Sequence, residues 1–231
     1  MEKEHTSREF ERELKALRER LLAMGGRAEQ QLSRALESIV ERNDTTAQRV
    51  IQDDTKIDQD EIDIDEIAFL ILARRQPVAS DLRFVMLALK VVADLERIGD
   101  LAVNIAKRAR DLNRFQPLPL DRMQLLAKKV LGALTGALDA FTQADAVKAE
   151  QVIADDVEID SLNMHLIADM ISAGAENAQE IARLLAVSSV SRYLERIGDH
   201  ATNICEMVIY FVRGRDVRHH LTPHPRPTRM P

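Results

Sequence analysis

The sequence predicts an all-α protein built from two similar halves, each a set of three long antiparallel helices. Composition is the first observation. Of 231 residues, 45% are hydrophobic and 30% charged, with only 8 Gly, 7 Pro, 2 Tyr and no Trp. That profile fits long helices with aliphatic cores better than sheets. The second observation is apolar residues recurring at steps of three and four along most of the chain. The third is internal duplication. Leu95-Glu96-Arg97-Ile98-Gly99-Asp100 is repeated in full as Leu194-Glu195-Arg196-Ile197-Gly198-Asp199, 99 positions later. A second frame, Val-Ile-x-Asp-Asp-x-x-Ile-Asp, begins at Val50 and again at Val152, 102 positions later.

Taken in order, residues 7–43 read as one helix, with Phe10, Leu14, Leu17, Leu21, Met24, Ala28, Leu32, Ala35 and Ile39 on its apolar stripe. Gly25-Gly26 predicts an interruption or kink, since each Gly costs about 1 kcal/mol against Ala in a helix. Asn43-Asp44-Thr45 reads as a stop and a fresh N-cap. A second helix is expected over 45–75, closed by Gln76-Pro77, because the residue before Pro disfavours helix. A third runs from Ser80 or Asp81, each a plausible cap, to about Asn113. Three more helices follow over 120–142, 144–173 and 177–213, with Gly174 at a C-terminal position. Short connections make sequential helices antiparallel neighbours. The expected organisation is therefore a first half over 1–114, a Pro-rich linker at 115–119 and a second half over 120–214. Residues 215–231, with four Pro, four Arg and three His, read as a disordered basic tail.

A net charge of −6 argues against a nucleic-acid surface as the main partner. The first residues have no apolar core of a signal peptide. The longest apolar run, Ile67 to Ala73, is too short for a span of about 20 residues. Cys205 is the only cysteine, so no intrachain disulfide forms. These features predict a cytoplasmic protein without a transmembrane segment.

The candidate site is acidic. Spacing of four places Glu96 with Asp100, and Glu195 with Asp199, on one helical face, Cβ atoms about 5–6 Å apart. The preceding helices carry Asp54/Asp58 and Asp156/Asp160. In an antiparallel hairpin, residues equidistant from the turn face each other. Asp58 with Glu96, and Asp54 with Asp100, are centred on Pro77; Asp160 with Glu195, and Asp156 with Asp199, are centred on 177.5, at the end of the predicted turn from Gly174 to Asn177. Four carboxylates thus converge in each half. Leu87, Val91, Leu95, Ile98, Ala102 and Ile105 form the apolar stripe of one helix, and Leu194, Ile197, Ala201, Ile204 and Val208 that of the other. The acids lie on the opposite side, which predicts a groove or outer face. Val85, Leu89 and Val92 share that face in the first copy only.

Lone carboxylates on a helix are usually solvated. Here they are duplicated and faced by a second acid pair. Arg97 and Arg196 sit about 100° round the helix and cannot neutralise all four acids. Carboxylate oxygens suit hard cations such as Mg²⁺, Mn²⁺, Ca²⁺ or oxidised iron, with Zn²⁺ a further divalent option. Asn104 and Asn203, one turn on, could supply a carbonyl oxygen or a hydrogen bond to a ligand. His165 and His200 read as packing or surface residues, and His219, His220 and His224 lie in the tail. The only Glu-x-x-His spacing is Glu2 to His5, no phosphate-binding loop or nucleophile elbow is present, and no nucleophile–base pair is visible. A non-enzymatic metal-binding protein is the favoured reading. The alternatives are a carboxylate-bridged metal enzyme or metal-storage protein, and a helical scaffold without any ion.

The chain also resembles the PhoU family of regulators of bacterial phosphate uptake, over roughly residues 8–220. The resemblance rests on Met24-Gly25-Gly26 with Glu29-Gln30-Gln31-Leu32, and on Arg75-Gln76-Pro77-Val78-Ala79-Ser80-Asp81-Leu82-Arg83. It rests equally on both Leu-Glu-Arg-Ile-Gly-Asp copies, the second flanked by Arg192-Tyr193 and by His200, with Asn203-Ile204-Cys205-Glu206 beyond. It implies two three-helix bundles related by pseudo-twofold symmetry. It implies metal ions or clusters held at Glu96/Asp100 and Glu195/Asp199, with the partner acids Asp54/Asp58 and Asp156/Asp160. It further implies a cytoplasmic homodimer linking a phosphate ABC transporter's ATPase to a phosphate-sensing histidine kinase, and restraining the phosphate-starvation response. Asp81-Leu82-Arg83 has no echo in the second half, where Glu180-Ile181-Ala182 stands.

Overall fold

In a computed structural model, which describes residues 2–117, 120–174 and 177–214, every regular element is an α-helix. The order is α1 (Glu2–Val40), α2 (Asp44–Asp53), α3 (Thr55–Arg75), α4 (Ala79–Leu112), α5 (Asp121–Gln143), α6 (Ala146–Ala173) and α7 (Ala178–Arg213). The basic segment 215–231 with its three histidines, and Leu118-Pro119 of the linker, lie outside the described residues.

Helix ends follow local chemistry. Asn43 caps α2 by accepting from Thr46 N–H at 3.1 Å. Asp145 caps α6 and Asn177 caps α7 in the same way. Each supplies an acceptor to backbone donors that the first turn leaves unmatched. Gln76, before Pro77, takes a left-handed conformation and ends α3. Gly214, at φ 66°, ends α7 and donates its N–H to Tyr210 O.

Three expectations need correction. The second helix is not continuous: it breaks at Asp54. Asp54 keeps helical dihedrals, and its carbonyl accepts from both Ile57 N–H (2.8 Å) and Asp58 N–H (3.2 Å), a locally tightened turn. Two consecutive aspartates, poor helix formers, occupy the break. Secondly, neither Ser80 nor Asp81 caps α4; Val78 precedes it in extended conformation without a side-chain cap. Thirdly, Gly25-Gly26 does not interrupt α1, which runs through them. A Cβ at Gly25 would fall 2.6 Å from Leu138 Cδ2, so the missing side chain lets α1 approach α5. Gly26 has nothing within 4 Å.

The helices sort into α1 with α2, α3 and α4, and α5 with α6 and α7. The two sets join along α4–α7 and α1–α5, and their buried side chains form one hydrophobic cluster. Along the α4–α7 seam the chains run antiparallel. Phe84 meets Phe211 edge to face at 6.0 Å, and Asp94 bonds His200 Nδ1 at 2.8 Å while accepting from Asn203 Nδ2 at 3.3 Å. Because α4 packs against α1, α2, α3 and α7, its apolar surface extends beyond one stripe. Val85 and Val92 are buried and Leu89 half-buried. Cys205 is buried in α7, and burial pushes its thiol up to about 12, which leaves it a packing residue.

The two adjacent glycines separate propensity from packing. Gly26→Ala should raise stability by about 1 kcal/mol. Gly25→Val should lower it by about 2 kcal/mol by overpacking against Leu138. At 2–4 °C per kcal/mol for a chain of this size, thermal melts resolve the two. Equal shifts for both would contradict the close approach of α1 to α5.

Candidate metal centre

The acidic run of α3 divides by face. Asp60 makes a two-pronged ion pair with Arg27 of α1 (2.5 and 2.6 Å) and Asp63 pairs with Arg20 (2.5 Å). Asp53 pairs with Lys56 and lies 3.6 Å from Arg34. These acids are neutralised on the α1 side. Asp54, Asp58 and Glu61 turn toward α4 instead.

There the seam is set by the glycine of the repeated hexapeptide. A Cβ at Gly99 would meet Ile57 Cδ1 at 3.1 Å, Ile57 Cγ2 at 3.3 Å and Asp54 Oδ1 at 3.5 Å. A Cβ at Gly198 would meet Asp156 Oδ1 at 3.2 Å and the Ile159 methyls at 3.4 and 3.5 Å. The same contacts recur in both halves. Buried Ile57 and Ile159 form the apolar floor, and the carboxylates stand at its edge. Hydrophobic packing, worth about 1.5–3 kcal/mol for each buried Ile, holds the like charges together against their repulsion.

The electrostatics show which acids feel one another. In the first half Asp54 is raised above the usual carboxylate range, chiefly by burial and further by Asp58 and Asp100. Glu96 is raised by burial, then by Asp100, Glu61 and Asp58, with Arg97 opposing. In the second half Asp156 is pushed up to about 6 by burial and by Asp160, Asp199 and Glu195. Burial, with Asp199 and Asp160, raises Glu195; burial and Asp160 raise Asp199, against His200 and Arg196. The antiparallel register expected from the hairpins therefore brings Asp58 within electrostatic reach of Glu96, and Asp160 within reach of Glu195.

The two sites are not equal. Arg97 lies 3.3 Å from Glu96 and 3.4 Å from Asp100, while among the described residues none of Asp156, Asp160, Glu195 or Asp199 has a cation within 4 Å. Buried Gln31 of α1 donates to Asp54 Oδ1 at 3.0 Å and is 3.4 Å from Val50 O. Gln31 lines a cleft of about 260 Å³ beside Val50, Asp53 and Ile57. In the matching cleft, about 410 Å³ beside Val152, Asp155 and Ile159, Gly132 and Ala133 stand on α5. Asp156 has no such donor among the described residues, and it carries the larger shift. Glu61, one turn past Asp58, adds a fifth acid to the first site, raised by burial and by Asp65; Asn163, 102 positions on, hydrogen-bonds Ser191 instead.

Sequence reasoning missed Gln31, Glu61 and the two glycines. Glu61 was visible as the next residue on the Asp54/Asp58 face, and the glycines lay inside the repeated motif. Asn203 is turned away from the acids and bonds Asp94 across the α4–α7 seam. Asn104 is half-buried without a hydrogen bond among the described residues, and Arg196 is exposed. His165 is exposed beside Ser161, and His200 is tied to Asp94.

As the side chains stand, no three His, Cys, Asp or Glu among the described residues are gathered closely enough to hold an ion. Carboxylates without a counter-charge repel and splay. The donor set itself fits a hard cation. It is all oxygen, partly desolvated and under-neutralised, with Asp54, Asp58, Glu96 and Asp100 available in one half and Asp156, Asp160, Glu195 and Asp199 in the other. Without His or Cys it suits Mg²⁺, Mn²⁺ or iron better than Zn²⁺.

A duplicated all-α protein with a carboxylate-edged seam in each half is the class these features define. The PhoU domain model matches residues 21–109 and 123–208. The chain is 43% identical over 217 residues to a phosphate-specific transport system accessory protein PhoU homolog of Pseudomonas putida, covering 93% of this chain and 85% of that protein. It is 37% identical to the PhoU accessory protein of Escherichia coli, covering 93% and 90%. The crystal structure of PhoU from Pseudomonas aeruginosa superposes with a TM-score of 0.86 at 40% identity, covering 89% of this chain and all of that one. The phosphate transport system regulatory protein PhoU from Streptococcus pneumoniae gives 0.82 at 28% identity, covering 90% and 99%. The chain belongs to the PhoU family.

The strained acid offers a pH test. Asp156 has a folded value of about 6 against an ordinary 3.8, so the native chain holds a proton that the unfolded chain has lost between these values. Metal-free stability should therefore fall as pH rises from about 4 to 6. Asp156→Asn should lessen that fall and raise stability at pH 7 by about 1–2 kcal/mol, after discounting for solvent screening. Urea unfolding in chelator at both pH values measures it; an unchanged pH slope in the variant would contradict it.

Proposed function

We propose that this chain is a non-enzymatic, metal-binding adaptor that regulates phosphate uptake. The observation that carries the reading is the pair of facing carboxylate sets, half-buried at Asp54, Glu96, Asp100, Asp156 and Glu195 and exposed at Asp58, Asp160 and Asp199, with too few cations to balance them. A divalent or trivalent ion at either set would relieve repulsion and lock α3 to α4, or α6 to α7. Relatives over 93% of the chain are named as accessory proteins of a phosphate-specific transport system, which supports association with such a transporter. No helix among the described residues is long and apolar enough to cross a membrane, which fits an adaptor working at the cytoplasmic side. The finer parts of the proposal are a homodimer, contact with the transporter's ATPase and with a phosphate-sensing histidine kinase, and restraint of the starvation response when phosphate is plentiful. Lacking a nucleophile–base pair, the site is assigned a structural and signalling role, without turnover.

Metal binding should raise the melting temperature, since a ligand that binds only the folded state at a hundred times its Kd adds about 2.7 kcal/mol. Melts in excess Mn²⁺ should therefore exceed melts in chelator by several degrees. Glu96→Ala with Asp100→Ala should remove the contribution of one set, and Glu195→Ala with Asp199→Ala that of the other. No metal-dependent shift in the intact chain would overturn the metal reading. In a bacterium lacking its own copy, the intact chain should restore phosphate repression of a starvation reporter. Full repression by a variant with all four substitutions would separate regulation from metal.

A further inference from the structure

The acid sets occupy one end of each hairpin's outward face; the other end is apolar and open. On α3, Ile62 and Phe69 are 59% and 68% exposed and lie seven residues apart, two turns along one face. On α4, Leu82 and Met86 are 40% and 44% exposed, one turn apart. The register set by Gly99 against Ile57 places Phe69 level with Met86, so the four side chains line one strip toward the hairpin tip.

Single exposed apolar residues are ordinary on a protein surface. This strip is duplicated. Met164 and Ile171 stand 102 positions after Ile62 and Phe69, and Ile181 and Leu185 stand 99 after Leu82 and Met86. All four are at least half exposed. These are the offsets of the acidic motifs, so the halves share an apolar surface as well as a charged seam.

The two strips differ in charge. Beside Ile62 and Phe69 lie exposed Asp65 and Glu66, with Asp58 about one turn before Ile62; in α6 the positions corresponding to Asp65 and Glu66 are Ile167 and Ala168. Where α4 has Ala93 on this face, α7 has exposed Arg192. The first hairpin therefore presents an apolar tip flanked by exposed Asp65 and Glu66, neither in an ion pair among the described residues, and the second an apolar tip with Arg192 beside it.

We propose that the outward face of the α3–α4 hairpin is the docking site for an amphipathic helix of a partner protein, basic toward Asp58 and apolar toward Phe69 and Met86. A helix of about 14 residues spans this length at 1.5 Å per residue. The proposal rests on the adaptor reading and does not depend on a bound metal.

The test uses the full chain and a fluorescein-labelled 18-residue Leu/Lys amphipathic helix. Matched peptides replace Lys by Glu, or Leu by Ser. Fluorescence anisotropy should show the Leu/Lys peptide binding at least tenfold more tightly than either control. Phe69→Ser with Met86→Ser should weaken it at least tenfold, and Asp65→Asn with Glu66→Gln should weaken it and flatten its salt dependence. Ile171→Ser with Leu185→Ser on the second hairpin should change it less than twofold. Far-ultraviolet circular dichroism confirms that each variant keeps its helices. Equal binding of the Glu peptide, or indifference to Phe69→Ser with Met86→Ser, would overturn the proposal. So would loss of self-association, or of binding to anionic lipid vesicles, as the main effect of those substitutions. A Mn²⁺-dependent melting shift and restored reporter repression that persist in such an outcome would leave the adaptor reading intact.

Discussion

Apolar packing that forces carboxylates together is the constraint on which this structure depends. Gly99 and Gly198 let α4 and α7 settle against Ile57 and Ile159, and the acids at the edge of that contact follow. Their mutual repulsion is the consequence of a close helix crossing. Burial at that crossing, with the repulsion added to it, leaves Asp156 holding its proton to about pH 6 and keeps Asp54, Glu96, Glu195 and Asp199 above the ordinary carboxylate range. Under the proposed metal-binding role, a cation at such a seam would relieve the repulsion and stiffen it without moving a domain.

The rest of the architecture holds that tension in place. Asp60 and Asp63 are spent on Arg27 and Arg20 of α1, so α3 is anchored on one face while its other face stays charged. Glu13 and Arg75 tie the far end of α3 back to α1, and Arg42 fastens the α1–α2 turn to the end of α4 through the carbonyls of Asn113 and Phe115. Surface pairs of this kind contribute little stability individually. Here they fix which face of α3 meets α1.

Much of this was legible in the residues. The helices, their antiparallel order and the facing of Asp58 with Glu96 and Asp160 with Glu195 follow from local periodicity and from positions equidistant from a turn. The duplicated hexapeptide pointed to the seam directly. What escaped is what depends on a third helix. Gln31 reaches Asp54 from α1 with no spacing rule to announce it. Asn203 looked like a helper of the acids until Asp94 of the other half claimed it. The break at Asp54 and the uninterrupted run through Gly25-Gly26 show the same limit: propensity is local, whereas α5 and α4 decide what those positions can do. The shared core, too, arises from the α4–α7 contact, which neither repeat encodes alone.

The two halves are alike in plan and unlike in charge. Gln31, Arg97 and Glu61 crowd the first seam with partners, while the second seam is barer and its aspartate more strongly shifted. If ions bind, the second seam gains more from them. Crystals grown with and without Mn²⁺, measured at the manganese absorption edge, put this to the most direct test. Anomalous peaks are expected between Asp156, Asp160, Glu195 and Asp199, and between Asp54, Asp58, Glu96 and Asp100, with the former at higher occupancy. Peaks absent from both seams at saturating Mn²⁺ would contradict it.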